Sequence, residues 1–293
     1  MQIEVENTRR KSPSVSADKY IDSHQHLWKY DSVRDSWITD EMSAIRKDFL
    51  PVDLQPVLEQ NGFKGCVVVQ SDQSEEHNQF LLELVKNNDF IKGIVGWVNL
   101  QAENIKERLQ YYKQFDIIKG FRHVLQGEED RALMLKPKFM RGIEAFDAFG
   151  YTYDILIFPD QLQYIPAFVA AFPNQKFVIN HIAKPYIKHN KIDDWKRDIE
   201  AVAENENVSC KISGMVTEAD FTNWRPAMFT PYIDVVVKAF GIDRIMYGSD
   251  WPLCLVAGSY KKVSGIVKDY FASYSKEEQL KVFGVNATNF YNL

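Results

Sequence analysis

From Tyr20 onward, short β-rich apolar runs alternate with longer polar and amphipathic stretches. Eight such runs stand out: Tyr20–His24, Gly65–Gln70, Gly93–Val98, Ile117–Arg122, Thr152–Ile157, Phe177–His181, Val208–Ser213 and Arg244–Gly248. Most are separated by about 20 to 40 residues, room for a helix and two loops. The runs are continuous rather than alternating, as in Val67–Val69 and Phe177–Ile179. A parallel strand buried on both faces reads this way. Eight βα repeats predict closure into a (β/α)8 barrel. The rival, an open doubly wound sheet, would carry a glycine-rich phosphate turn after its first strand. Here the first strand runs into HQHLWKYD, which has no glycine.

Between the strands, Glu75–Lys86 has apolar residues at helical spacing behind an acidic pair that suits the helix dipole. Pro51–Gln60 reads as loop and then helix, stopping at Asn61 and Gly62. Ser275–Phe283 opens with a capping-box pattern, Ser275 followed by Glu278.

The 293 residues suffice for one barrel plus a short tail, although length alone also allows two domains of about 150 residues. The expectation is one barrel domain over residues 19–293 and a flexible polar leader over residues 1–18. That leader has no apolar core of the kind a secretory signal needs, and no apolar run is long enough to span a membrane. A formal net charge of −5 with no basic stripe argues against nucleic acid as partner. Cys66, Cys210 and Cys254 form no disulfide framework or metal knuckle, which points to a reducing compartment, the cytoplasm. Oligomeric state is not legible in the chain.

The polar residues fit for chemistry cluster at the C-terminal ends of the runs, where barrel active sites are built. His24 and His26 lie two apart, so on a strand both imidazoles face the barrel mouth and can grip a divalent metal. The alternative is a hydrogen-bonded structural pair. His181 ends the sixth run and is a candidate ligand or proton-transfer group, or a satisfied structural histidine. Asp250 ends the eighth run and can hold a metal or take a proton from water; the plain reading is a turn or cap aspartate. Arg122, with His123 beside it, offers a fork for a carbonyl, or a surface salt bridge. Asp154 and Lys211 sit inside apolar runs and need partners, as an interior ion pair or as site residues. Trp28, Tyr30 and Trp37, with Trp251 behind Asp250, are candidates to pack on an apolar sugar face or to join the core.

In order along the chain, IDSHQHLW, VVVQ, GIVGWVNL, KGFRH, YDIL, VINHIAKP, CKISG and YGSDWP resemble the amidohydrolase-related family that includes L-fuconolactone and L-rhamnonolactone hydrolases and 2-pyrone-4,6-dicarboxylate lactonase. The stretches cover residues 20 to 252. The resemblance implies a distorted (β/α)8 barrel, with His24, His26 and Asp250 as the metal or active-site cluster. It implies His181 as the histidine that helps activate water, and Arg122 at the substrate carbonyl or hydroxyls. One divalent ion, zinc, is the expected cofactor. The pyrone lactonase branch implies a metal-free mechanism as the alternative.

The expected activity is ring opening of a sugar lactone by water, with Asp250 as base and His181, Arg122 or a metal stabilising the oxyanion. Seven residues are candidate substrate contacts: Trp28, Tyr30, Trp37, His123, Asp154, Lys211 and Trp251. A metal-dependent decarboxylase of the same superfamily is the second reading; its usual strand-five histidine is missing from TYDILIFP. A non-catalytic sugar-binding barrel is the third, and it leaves four chemically capable strand-end residues without purpose.

Overall fold

The computed structural model describes residues 20–293, so the leader expected over residues 1–18 lies outside the described residues. Eight strands form one parallel sheet in sequence order. They are β1 (Ile21–Gln25), β2 (Gly65–Val69), β3 (Ile91–Gly96), β4 (Ile118–His123), β5 (Thr152–Ile155), β6 (Phe177–Ile179), β7 (Val208–Ile212) and β8 (Ile245–Tyr247). All eight apolar runs are therefore strands, and a (β/α)8 barrel results. β6 ends two residues short of His181 because the backbone turns left-handed there.

The main outer helices are α1 (Pro51–Gln60), α2 (Glu75–Val85), α3 (Ile105–Tyr112), α4 (Pro137–Glu144), α5 (Ile165–Ala170), α6 (Asp193–Ala203), α7 (Thr230–Phe240) and α8 (Tyr260–Tyr270). The loop expected at the start of α1 is helical instead. Pro51 occupies the first turn, where its missing N–H costs nothing, and Asp53 accepts the Leu50 N–H at 2.9 Å. In α2, Ser74 caps the helix by accepting the His77 N–H. Ser275 and Glu278 form the expected capping box at the start of α9 (Lys276–Leu280).

The chain ends in α10 (Asn286–Tyr291). Ala287, Phe290 and Tyr291 pack with Ile21, Val67, Val69, Val95, Val178 and Met246, a cluster separate from the layer between strands and outer helices. Lys119 and Lys176, at strand beginnings, donate to the carbonyls of Asn292 and Asn289. The last helix thus plugs the end of the barrel opposite the mouth. Each large apolar side chain buried there is worth roughly 1.5–3 kcal/mol.

Candidate active site

The barrel seam is also where the site is assembled. β8 does not run alongside β1 as a regular strand pair; instead Gln25, the last residue of β1, and Trp251, beyond β8, form an isolated parallel bridge. The Asp250 N–H donates to the His24 carbonyl at 2.8 Å, and the His26 N–H to the Trp251 carbonyl at 2.7 Å. Asp22 fastens the same seam, accepting from the backbone of Ser249 and His24 and from the Tyr260 hydroxyl. Gly248 leaves the required space: a Cβ there would lie 2.6 Å from the His24 Cβ. Backbone pairing therefore brings the HxH of the first strand against the carboxylate after the last.

The side chains converge. His24 Nε2 and His26 Nε2 are 3.2 Å apart. Asp250 Oδ1 lies 3.4 Å from His26 Nε2, 3.9 Å from His24 Nε2 and 3.8 Å from His181 Nε2. All four groups are buried. His26 Nδ1 lies 2.8 Å from the Val69 carbonyl. A carbonyl can only accept, so that nitrogen carries the proton and the Nε2 lone pair faces the site. Burial pushes all three imidazoles toward the neutral form, His181 to about 3. Burial alone would raise the Asp250 carboxyl, but His181, His26 and Lys184 outweigh it and hold the group below its ordinary value.

His181 reaches the pocket through unusual backbone. His181, Ile182, Ala183 and Lys184 all have φ between 47° and 58°. One turn of left-handed helix costs roughly 1–2 kcal/mol per residue, and such strain persists only where the surroundings fix it. Ile182 and Ala183 are fully buried, while His181 and Lys184, three apart, both line the cavity. Trp195 secures the turn by donating to the Ile182 carbonyl, and Ser213 hydrogen-bonds His181 Nδ1 at 2.9 Å. Asp250 is left-handed as well, with φ 57°.

Arg122 projects inward from β4. It donates to the Gln70 carbonyl at 2.5 Å and lies 3.4 Å from both Asn180 Oδ1 and His24 Nε2. Burial brings its guanidinium down to about 10, which leaves it charged at neutral pH. His123, next on the same strand, faces the other way, as strand alternation requires. It pairs with Glu128 at 2.6 Å and packs edge-on against Phe139.

A cavity of about 390 Å³ opens over these groups, lined among others by His26, Trp37, Arg122, His181, Lys184 and Asp250. Of the expected substrate contacts, Trp37 alone is on its wall. Trp28 is drawn into the core by a backbone bridge to Phe49 and an indole bond to the Lys47 carbonyl. Trp251 packs on Phe49 too, and Tyr30 lies away from the wall. Asp154 and Lys211 form a fully buried ion pair, 2.6 Å apart, beneath the site. Arg34, Asp35, Asp72, Gln126 and Lys184 line the cavity without having been singled out in the sequence. They sit in loops after the strands, and only the position of Lys184, three residues past a strand-end histidine, offered a signal. Another cleft, of about 490 Å³, lies at the plugged end and holds none of the strand-end groups.

The donor set fits a divalent metal. Nitrogen and oxygen atoms of His24, His26 and Asp250 can be chosen within 4.8 Å of one another, a pattern suited to zinc and its neighbours. Asp250 Oδ1 is buried with no hydrogen-bond partner although three imidazole nitrogens surround it. An ion there would satisfy that orphaned oxygen.

A family model described as amidohydrolase matches residues 21–293. L-fucono-1,5-lactonase from Burkholderia multivorans is 35% identical over 284 residues, covering 93% of this chain and 96% of that protein. L-fucono-1,5-lactonase from Burkholderia ambifaria is 32% identical over 281 residues, covering 93% and 95%. The crystal structure of an amidohydrolase from Burkholderia multivorans with bound zinc superposes with a TM-score of 0.90 at 34% identity, covering 94% of this chain and 99% of that one.

Proposed function

The chain belongs to the amidohydrolase family, and from that membership we propose that it is a lactonase, hydrolysing the ring ester of a sugar lactone such as L-fucono-1,5-lactone. The observation that carries the mechanism is the buried Asp250 carboxylate, its Oδ1 unpartnered among three imidazoles, on a residue that lines a cavity of substrate size. The reading assigns the activity to a single domain over residues 19–293 and to carbohydrate metabolism, and the free thiols at Cys66, Cys210 and Cys254 support a cytoplasmic location.

Asp250 is the base. Held ionised, it takes a proton from the attacking water as the new C–O bond forms at the lactone carbon. Arg122 faces the carbonyl and stabilises the tetrahedral oxyanion, with His181 beside it. Preorganised donors of this kind contribute about 2.7–4 kcal/mol each. The ring oxygen then leaves as an alcohol, taking the proton that Asp250 received. Trp37 at the mouth packs on the apolar face of the sugar ring. His24, His26 and Asp250 would hold a divalent ion, zinc in this reading, which would polarise the carbonyl and acidify water.

The test is proton release on a panel of aldonolactones including L-fucono-1,5-lactone. The parent is expected to turn over at least one of them, and Asp250→Asn to lose about 1000-fold or more in kcat. Near-parental turnover by the variant would remove Asp250 as base. A parent inert on every lactone would remove the function itself.

A further inference from the structure

One hydrogen-bonded chain runs the length of the barrel, from the terminal helix to the site. The Tyr291 hydroxyl donates to Asp154 Oδ1 at 2.7 Å. Asp154 Oδ2 accepts from Lys211 Nζ at 2.6 Å and from Asn180 Nδ2 at 2.8 Å. Lys211 Nζ lies 3.3 Å from His24 Nδ1, and Asn180 Oδ1 lies 3.4 Å from Arg122 Nη1. Asp154, Asn180, Lys211 and His24 are fully buried, and Tyr291 is 2% exposed. The direction of each bond is set by chemistry. A carboxylate only accepts and an ammonium only donates. Two donor-only cations face His24, Lys211 at Nδ1 and Arg122 3.4 Å from Nε2, and a neutral imidazole accepts from only one of them. The His26 Nε2 lone pair, 3.2 Å from His24 Nε2, selects Nε2–H and with it Nδ1 as the acceptor in the metal-free protein.

We propose that Tyr291, two residues before Leu293, is a positioning residue for the active site, acting through Asp154 on both His24 and Arg122. Two carboxylate oxygens meet three donors, so the orientation of Asp154 is fully determined only while Tyr291 donates. Without that hydroxyl, Oδ1 is left buried and unpaired, a state costly enough to make the carboxylate turn. Rotation draws Lys211 from His24 and Asn180 from Arg122. Groups that orient metal-ligating or catalytic side chains in this way typically carry 10–100-fold in activity or metal affinity. The plug at the closed end is thereby part of the machinery at the open end.

This inference rests on the lactonase reading only for its activity arm. The experiment compares Tyr291→Phe with Phe290→Leu, a change in the same plug that touches none of these bonds. Each is assayed for kcat and KM on the lactone, for thermal stability, and by NMR of the histidine ring nitrogens in metal-free protein. Tyr291→Phe is expected to lower kcat about tenfold with KM within twofold, and to shift the His24 ring signals. Phe290→Leu is expected to lower stability while leaving kcat and those signals at parental values. Parental kcat and His24 signals in Tyr291→Phe, or equal kcat losses in both variants, would overturn the proposal. The parent supplies a reading that needs no variant: His24 Nδ1 must be unprotonated, and a protonated Nδ1 would also overturn it. An inert parent would sink the lactone reading while the ring signals still decide this one.

Discussion

Gly214 and His181 are packed so closely that the Cβ Gly214 lacks would fall on the imidazole ring. Gly214 also has φ +61°, in the left-handed region where a side chain is strained. The loop after β7 thus limits where the strand-six histidine can lie. Gly214→Ala is expected to push the ring from its position 3.8 Å from Asp250 Oδ1 and to lower kcat at least tenfold. The backbone strain should cost roughly 1–2 kcal/mol. Steady-state kinetics and denaturant midpoints check both. A variant with parental kcat would mean that the ring position does not matter to turnover.

Two tryptophans near the end of the first strand should separate cleanly. Trp37 is 44% exposed and lines the cavity. Trp37→Ala is expected to raise KM for the lactone several-fold and leave the melting temperature unchanged. Trp28 is 2% exposed and locked to Phe49 and Lys47. Trp28→Ala is expected to cost about 3–5 kcal/mol of stability through the cavity it leaves. Equal effects on KM would contradict this division.

The contrast between these tryptophans shows what the chain discloses and what it conceals. The strands were legible because each is an apolar run buried on both sides, and burial is a local property of composition. The approach of His24, His26 and Asp250 was legible because a barrel must close and its strand ends must meet. The cavity wall was not. Trp28 follows His26 by two residues and would keep the same face if the strand continued, but the bridge to Phe49 turns it into the core. Lys184 reaches the pocket only through four successive left-handed residues, none of them glycine, which no propensity anticipates. Tyr291 lies over 260 residues from His24, and only the plug geometry joins them.

Removing divalent metal should test the orphaned Asp250 oxygen directly. Chelated protein is expected to lose about 100-fold in kcat and to recover with added zinc. Because an ion held by His24, His26 and Asp250 binds the folded state alone, it should also raise the melting temperature in a concentration-dependent way. Metal analysis must accompany the kinetics. Full turnover in protein verified as metal-free would leave oxyanion stabilisation to Arg122 and His181.

Lys184 and Glu218 should move the pH profile in opposite directions. Their charged groups are 3.5 Å apart, and Lys184 is on the cavity wall. Burial raises the Asp250 carboxyl, but Lys184 is among the groups that together bring it below its ordinary value. Burial also raises Glu218, and Asp250 adds to that rise while Lys184 opposes it, so the two carboxylates repel each other. Lys184→Met removes a positive charge that favours ionised Asp250. The Asp250 pKa then rises, less base is present at a given acidic pH, and the acid limb of kcat/KM moves to higher pH. Glu218→Gln removes a negative charge that disfavours ionised Asp250, so its acid limb moves to lower pH. Profiles of kcat/KM from about pH 3 to 8, the span in which a carboxylate base and a neutral imidazole titrate, measure both shifts. Shifts of the same sign, or an acid limb that stays in place in both variants, would show that some group other than Asp250 sets it.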